Sequence, residues 1–124
     1  MGCNRYGHIA SCFATGNISS NSDYIGGLVG SNNDVDAITI NCYAVGAVTG
    51  VGSNVGGLAG RNDGKIVSSY YNTETCGAGA NNGRGTGKTT MELKQQATFE
   101  GWDFSDGGIW RIEEESTYPM LQWQ

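Results

Sequence analysis

One segment of the sequence has the residue types of a phosphate-binding loop. Gly83-Arg-Gly-Thr-Gly-Lys-Thr89 ends in a Gly-Lys-Thr that could place a lysine and a hydroxyl on nucleotide phosphates. The pattern requires a further glycine five residues before its Gly-Lys pair, and that position is Asn82. No buried strand is predicted before the segment, and the chain is too short for a nucleotide-binding α/β sheet. We therefore interpret it as a loop that leads into a helix.

Two polar turns carry the oxygen ligands that calcium prefers. Asn32-Asn-Asp34 and Asp36 lie in one turn, and Asn62-Asp63 lies in the other. Calcium takes about six to eight oxygens, which neighbouring turns could pool, but the D-x-[DN]-x-[DN]-G loop is missing. Asn and Asp also form turns by hydrogen bonding to nearby backbone. We expect ordinary Asx turns and no cofactor, with a structural calcium as the alternative.

The remaining groups suited to acid–base or nucleophilic chemistry do not converge. Glu113-Glu-Glu115 could supply paired carboxylates for glycoside hydrolysis, but neighbours on one turn do not define a cleft. His8 is the only histidine, and it would have to serve any Ser-His or Cys-His pair from the start of the chain. The sequence predicts no catalytic residues. A fragment of a protease or another hydrolase is the alternative.

The four cysteines could form two disulfides in three connectivities, but none belongs to a CxxC pair. Two of them, Cys12 and Cys42, share a phase of the repeat described below, whereas Cys3 and Cys76 do not. Free cysteine commonly packs as a small apolar side chain. We therefore interpret the four as buried thiols, with disulfides as the alternative.

Charge and hydropathy exclude several classes of protein. The 124 residues include 12 acidic and 7 basic side chains, giving a net charge of −5. Nucleic acids and anionic membrane surfaces need a basic patch, so neither is expected as a partner. No apolar run approaches the ~18 residues of a membrane span, and no apolar signal-peptide core follows Met1. We expect no membrane insertion, and a chain that begins inside a repeat of a longer protein.

Glycine, with 21 copies, is the strongest compositional outlier, and it belongs to a repeat. Ile25-Gly-Gly-Leu-Val-Gly30 recurs 30 residues later as Val55-Gly-Gly-Leu-Ala-Gly60. Cys12-Phe-Ala-Thr-Gly16 recurs at the same offset as Cys42-Tyr-Ala-Val-Gly46. A third copy begins at Ser69-Tyr70 and departs from the pattern at Tyr71.

Each copy holds short apolar stretches rich in Val, Ile, Thr and Tyr, separated by Gly and Asn/Asp turns, which is typical of strands. A β-sandwich would not require the same side chain at a fixed offset, so we predict an all-β fold that is a short β-solenoid of about three coils. An insertion of about three residues is expected around Asp36. Like positions would form the lanes Leu28/Leu58, Cys12/Cys42/Ser69, Phe13/Tyr43/Tyr70 and Ile18/Val48.

The blocks Gly26-Gly-Leu-Val-Gly30, Asn41-Cys-Tyr-Ala44 and Gly56-Gly-Leu-Ala-Gly60 resemble the GLUG repeat. The resemblance implies a right-handed β-helix in a bacterial surface or secreted protein. Some proteins that contain this repeat are adhesin-like, and others are described as immunoglobulin A proteases. The resemblance implies no catalytic residues, an extracellular or cell-surface location, and upstream repeats of the same chain as neighbours. Its motif positions are Gly26, Gly27, Leu28, Gly30, Gly56, Gly57, Leu58 and Gly60.

The repeat is lost from Thr73 onward, which divides the chain into GLUG-type repeats at 1–72 and a capping segment at 73–124. Gly77 to Gly87 is predicted to be a loop. Thr89-Thr-Met-Glu92 is a capping box, which predicts a short helix from about Thr90 to Ala97.

Two strand-like stretches, Ile109–Ile112 and Pro119–Trp123, predict a β-hairpin after that helix. A solenoid exposes strand edges and open core at its last coil, which invites aggregation. We expect the aromatic residues of this segment to cover that end. They are Trp102, Phe104, Trp110, Tyr118 and Trp123.

Aromatic side chains are also the candidate binding residues. Exposed Tyr43, Tyr70 and Tyr71 on a rigid scaffold could contact a sugar or a partner protein. The simpler interpretation is that Tyr43 and Tyr70 stack as an ordinary ladder. We expect a noncatalytic structural or adhesive repeat module whose partners are a host protein or glycan surface. A carbohydrate-binding module is the alternative.

Overall fold

The computed structural model describes residues 2–124, and over that range the fold is all-β. Helix is confined there to three 3₁₀ turns, at Ala78–Ala80, Glu92–Lys94 and Gln96–Thr98. The strands are β1 (Cys3–Arg5), β2 (His8–Ala10), β3 (Phe13–Ala14), β4 (Ile18–Ser19), β5 (Tyr24–Gly26), β6 (Val29–Asn33), β7 (Ile38–Ile40), β8 (Tyr43–Ala44), β9 (Val48–Thr49), β10 (Asn54–Gly56), β11 (Ala59–Asn62), β12 (Lys65–Val67), β13 (Tyr70–Asn72), β14 (Thr86–Lys88), β15 (Trp110–Arg111) and β16 (Met120–Leu121).

Strands β1 to β14 pair in parallel and form five rows, each joining equivalent positions of successive copies. Row 1 is β1-β6-β11, row 2 is β2-β7-β12, and row 3 is β3-β8-β13-β14. Row 4 is β4-β9 and row 5 is β5-β10. Parallel partners so short cannot bury a core alone, so the copies depend on one another for their backbone hydrogen bonds.

The strand registers confirm the expected alignment of like residues. In row 3, Tyr43 pairs with Phe13 on one side and with Tyr70 on the other. In row 4, Ile18 pairs with Val48. The other aligned positions are tied by backbone hydrogen bonds. The confirmed lanes are Phe13/Tyr43/Tyr70, Ile18/Val48, Cys12/Cys42/Ser69 and Leu28/Leu58.

The expected insertion around Asp36 is also confirmed. Strand β7 pairs with β2 at an offset of 30 residues, since Ile38 lies opposite His8, but Lys65 of β12 lies opposite the same Ile38. The extra residues form a tight turn in which the Ala37 amide donates to the Asp34 carbonyl. The insertion is therefore absorbed between rows 1 and 2 without disturbing either.

Neighbouring side chains along the strands of row 3 point to opposite faces of the sheet and belong to two separate cores. Ala44 and Tyr71 face an inner cluster with Val29, Leu58 and aliphatic residues from every copy, whereas Tyr43 and Tyr70 face an outer aromatic cluster. The motif glycines let the chain turn tightly beside the inner cluster. A Cβ on Gly26 would collide with the carbonyl oxygens of Val29 and Leu58, so backbone approach excludes a side chain there.

Three expectations for residues after 72 were wrong in detail. Thr86–Lys88, predicted to lie in or beside a loop, is a strand that pairs in parallel with Tyr70–Asn72. Before it, the Cys76 and Ala80 carbonyls accept backbone hydrogen bonds from Val48 and Gly57 of the second copy. The parallel stack therefore continues to residue 88, because the backbone alone can pair even where the side-chain repeat is lost.

The predicted helix at 90–97 is instead two 3₁₀ turns. Gln95 adopts an extended conformation (φ −121°, ψ 126°), which interrupts the helix between them. The capping box itself is present, since the Thr89 amide donates to Glu92 Oε1 at 3.0 Å and the Glu92 amide donates to Thr89 Oγ1 at 3.2 Å. The predicted hairpin is confirmed by the antiparallel pairing of Trp110 with Leu121.

The aromatic segment covers a side of the stack, not its end as expected. Trp102 and Trp110 pack on the outer face of row 3, and Trp110 reaches Phe13 of the first copy at a ring separation of 6.2 Å. The Trp102 indole nitrogen donates to the Ser68 carbonyl at 2.9 Å. The row of aromatic rings on that face provides the apolar surface that the segment buries.

Candidate functional site

The three tyrosines predicted to contact a ligand lie inside the protein. Tyr43 is 1% exposed, Tyr70 is 8% exposed and Tyr71 is 2% exposed. Tyr43 stacks on Phe13 at 5.3 Å and donates a 2.5 Å hydrogen bond to the Pro119 carbonyl. The rings of Tyr43 and Tyr70 are thus covered by the aromatic segment and offer no open face to a ligand.

Tyr71 closes the inner core where the third copy ends. It occupies the position of Ala44 in the second copy, and its ring lies against Gly57. Its hydroxyl donates to Asn81 Oδ1 at 2.6 Å and accepts from the Gly83 amide at 3.0 Å. The departure from the repeat at Tyr71 therefore has a structural cause: a large side chain fills the end of the core.

The predicted Asx turns are confirmed at Asp34, whose Oδ1 accepts from the Asp36 amide at 3.1 Å, and at Asn62, whose Oδ1 accepts from the Gly64 amide at 3.1 Å. Three asparagines also form a ladder of side-chain hydrogen bonds across the copies. Asn4 Nδ2 donates to Asn32 Oδ1 at 2.8 Å, and Asn32 Nδ2 donates to Asn62 Oδ1 at 2.9 Å. Asn32 is 0% exposed, and its amide nitrogen also reaches the Lys65 carbonyl at 3.1 Å. Recurrence of Asn at nearly the repeat offset was the signal in the sequence. Within residues 2–124, no group of three or more His, Cys, Asp or Glu side chains is arranged to hold a metal.

Backbone pairing occupies the segment that resembles a phosphate loop. The Thr86 amide donates to the Ser69 carbonyl at 3.0 Å, and the Lys88 carbonyl accepts from the Thr73 amide at 2.9 Å. A phosphate-binding loop needs consecutive backbone amides that converge on one point. In this segment the backbone groups form hydrogen bonds with the neighbouring strand of row 3 instead. Its extended conformation is that of a sheet edge.

Glu114 and Glu115 tie the hairpin to the 3₁₀ turns. Glu114 Oε1 accepts from the Gln96 amide at 2.7 Å, and the Glu115 amide donates to the Lys94 carbonyl at 2.7 Å. His8 lies exposed in β2 on a different part of the fold. The structure does not bring these candidate groups together.

The prediction of buried thiols is confirmed for Cys42 and Cys76 and wrong for Cys3 and Cys12, which are exposed. All four are free thiols. Burial raises the pKa of the Cys42 thiol to about 11. Register in row 3 is what brings Cys12 and Cys42 together.

A polar groove of about 490 Å³ lies beside the edge of the first copy. Tyr24, 43% exposed, lines it with Arg61, whose guanidinium carbon lies 5.4 Å from the ring centroid and whose Nη1 donates to the Tyr24 hydroxyl at 3.1 Å. Asp63 forms a 2.9 Å ion pair with Arg61. The repeat pattern does not predict this groove, because its residues come from separate copies.

No family model matches the sequence, and no solved structure matches it. The chain is similar to a protein of Evansella cellulosilytica named "Putative Gly-rich membrane protein", with 37% identity over 122 residues. The alignment covers 96% of this chain and 11% of that protein, so the chain spans about a tenth of the relative's length. Among residues 2–124, none of the helical segments has the length and apolar character needed to cross a bilayer. The resemblance to the GLUG repeat stays a prediction.

Proposed function

We propose that this chain is a noncatalytic structural module, a short right-handed β-solenoid of about three coils, in a longer bacterial surface or secreted protein. The observation that carries the proposal is the in-register parallel pairing of successive copies, seen most fully in row 3. A crossover between parallel strands is right-handed in nearly all proteins, which favours the proposed hand.

The inner cluster supports the same proposal. Ile9 and Ile25 come from the first copy and Val55 and Leu58 from the second, and all four pack in one core. A copy that contributes one or two such residues cannot fold by itself, so stability accumulates through contacts between neighbours. Such an arrangement can act as a rigid spacer in a longer surface protein, a role that needs no catalytic groups.

The edge of the first copy supports further coils upstream. Within residues 2–124, strands β2, β3, β4 and β5 each have a parallel partner on one side only. Unpaired edges of this kind are templates for another strand. We propose that upstream repeats of the same protein occupy this edge, which agrees with a relative whose length far exceeds the aligned part.

Duplicating one coil tests the architecture. A second copy of residues 29–58 inserted after Leu58 should add one level to each row and raise the melting temperature, because every added strand finds its usual neighbours. An insert of the same composition in scrambled order is the matched control and should lower it. Equal effects of the two inserts would contradict the stacked architecture.

Antibodies raised against residues 2–124 test the location in the source organism. We expect labelling of intact cells or of the culture medium. Labelling only after lysis would contradict a surface or secreted module while leaving the coil-duplication result untouched. Binding of the purified chain to host proteins or glycans would then decide whether the module is adhesive.

Carbohydrate binding remains the second candidate because of the polar groove. Tyr24 offers an exposed ring for stacking on a sugar, and Arg61 beside it offers hydrogen-bond donors. A glycan array should show binding that Tyr24→Ala abolishes. Tyr6→Ala is the matched control, because Tyr6 is 63% exposed and lies outside the groove. Binding lost equally in both variants, or absent from the unmodified chain, would reject this candidate.

A further inference from the structure

We propose that Cys12 and Cys42 form a redox pair, which a disulfide oxidant such as oxidised glutathione converts into a disulfide that ties the first repeat copy to the second. The proposal rests on the register of row 3 and does not depend on the proposed surface location.

The backbone places the two cysteines side by side. The Tyr43 amide, directly after Cys42, donates to the Cys12 carbonyl at 3.1 Å. Adjacent parallel strands lie about 4.8 Å apart, which is inside the range of about 4.4–6.8 Å between Cα atoms that a disulfide spans. The spacing of the strands therefore places the two Cα atoms within the range of a disulfide.

The two side chains also share one orientation. Cys12 Sγ donates to the Ala10 carbonyl at 3.1 Å, and Cys42 Sγ donates to the Ile40 carbonyl at 3.2 Å. Each thiol thus points toward the carbonyl two residues before it, on the same side of row 3. The preceding residues Ser11 and Asn41 have φ values of 54° and 55°, so the same left-handed turn presents both thiols.

The other cysteines do not share this arrangement. The third copy has Ser69 in the lane, and its hydroxyl accepts from the Cys42 amide and donates to the Val67 carbonyl. Cys3 pairs with Ser31 in row 1, and the Cys76 carbonyl accepts from the Val48 amide beside row 4. A single pair of neighbouring thiols results from the register.

Burial sets the order of the steps. Cys12 is exposed, whereas Cys42 is fully buried and has a raised pKa, so Cys12 is the thiol that meets the oxidant. The Cys12 thiolate attacks a sulfur of oxidised glutathione, forming a mixed disulfide and releasing one glutathione thiolate. Cys42 then loses its proton and attacks the Cys12 sulfur, which releases the second glutathione. Two thiols are oxidised and one glutathione disulfide is reduced to two thiols.

Thiol counting on the whole folded chain tests the proposal. After incubation with oxidised glutathione, denaturation and maleimide labelling, the loss of reactive thiols should exceed the glutathione bound to exposed Cys3 by two, with one peptide pair linked through Cys12 and Cys42. The product should be monomeric and should be two hydrogens lighter once any glutathione on Cys3 is subtracted. It should unfold at a higher urea concentration until dithiothreitol reverses the change. Linkage of Cys3, or intermolecular dimers instead, would overturn the proposal.

Two variants separate the steps. Cys42→Ser should stop at the glutathione mixed disulfide on Cys12, whereas Cys3→Ser, the matched control, should still form the 12–42 linkage. Conversion of the mixed disulfide into the linkage in the unmodified chain should accelerate as the pH rises toward 11, since the buried thiol must ionise. A mixed disulfide that persists at pH 10 would contradict the proposed second step without any variant being needed.

Discussion

Asn32 and Asn62 face each other across two parallel strands, and Nδ2 of Asn32 donates a 2.9 Å hydrogen bond to Oδ1 of Asn62. The oxygen of Asn32 in turn accepts from Asn4 at 2.8 Å, so one amide links three copies. Thr39 Oγ1 also donates to that oxygen at 3.3 Å. Buried amides are stabilising only when both ends are satisfied, and the repeat satisfies them by stacking identical side chains.

Asn32→Asp should therefore be severely destabilising. The carboxylate would present an oxygen in place of a donor to Asn62 Oδ1 and to the Lys65 carbonyl. Its charge would be buried without a cation, at a cost of about 3–5 kcal/mol. Urea unfolding at pH 7 measures the loss. The deficit should shrink at acidic pH, because burial raises the pKa of such a carboxyl and the protonated form can donate.

Asn33→Asp is the matched control for that change. Asn33 is the next residue of β6 and is half-buried beside the polar groove, so it should lose less than about 1 kcal/mol. Equal losses at the two positions would show that the ladder contributes little to stability.

Tyr71→Phe should test how the inner core is closed. The hydroxyl has partners at Asn81 and at the Gly83 amide, and removing it leaves both unsatisfied, at a cost of about 1–3 kcal/mol. Tyr71→Ala should cost about 3–5 kcal/mol because a cavity replaces the ring. Thermal unfolding followed by circular dichroism measures both.

Tyr6→Phe provides the comparison, since Tyr6 is 63% exposed and should change the stability by less than about 0.5 kcal/mol. A neutral Tyr71→Phe would mean that residues 81–83 do not hold the end of the core.

The stacked rows could be predicted from the sequence because equivalent residues at a fixed offset must meet when strands pair in parallel. Phe13, Tyr43 and Tyr70 were aligned for that reason, and so were Ile18 and Val48. The face on which the rings lie could not be predicted. Side chains alternate between the two faces of a strand, so Tyr43 and Ala44 must point in opposite directions. Which of them points inward is known only from the position of the core.

The segment after residue 72 was harder because it has no internal copy for comparison. Gly-rich sequence favours turns and predicts a loop from Gly77 to Gly87, yet the backbone of Thr86–Lys88 completes row 3. Trp102 and Trp110 were expected at the end of the stack, but the aromatic face of row 3 is the larger apolar surface to cover. The polar groove at Tyr24 and Arg61 could not be predicted from the sequence, because its residues are dispersed along the chain.

Trp102→Ala should test whether the aromatic segment is held in place by its packing on the outer face of row 3. Trp102 is 7% exposed, packs 4.6 Å from the rings of Phe99 and Trp110, and donates to the Ser68 carbonyl. Its loss should cost about 3–5 kcal/mol and expose the outer face of row 3, measured by unfolding and by binding of a hydrophobic dye.

Trp123→Ala is the matched control, because Trp123 is 76% exposed. It should change stability by no more than about 0.5 kcal/mol and leave dye binding unchanged. The lateral packing would be rejected if Trp102→Ala behaved like Trp123→Ala.

Stability should fall steeply in alkaline solution. Burial raises the pKa of the Cys42 thiol from its ordinary value of 9.0 to about 11, and burial also raises the pKa of Tyr43. Between the unfolded and folded pKa values the native state holds more protons than the unfolded state, so the free energy of unfolding decreases as the pH rises. The contribution of Cys42 is intact below about pH 9 and is lost progressively up to about pH 11.

For Cys42 the loss should reach about 2–3 kcal/mol, since each pKa step of one is worth about 1.4 kcal/mol. Urea unfolding between pH 7 and pH 11, under reducing conditions, measures it. Cys42→Ala should be less stable than the unmodified chain at pH 7 yet show a shallower decline above pH 9, because the buried thiol no longer titrates. Cys3→Ala removes an exposed thiol and should retain the steep decline. Parallel pH profiles for the unmodified chain and Cys42→Ala would assign the alkaline loss to other groups, with Tyr43→Phe as the next variant to measure.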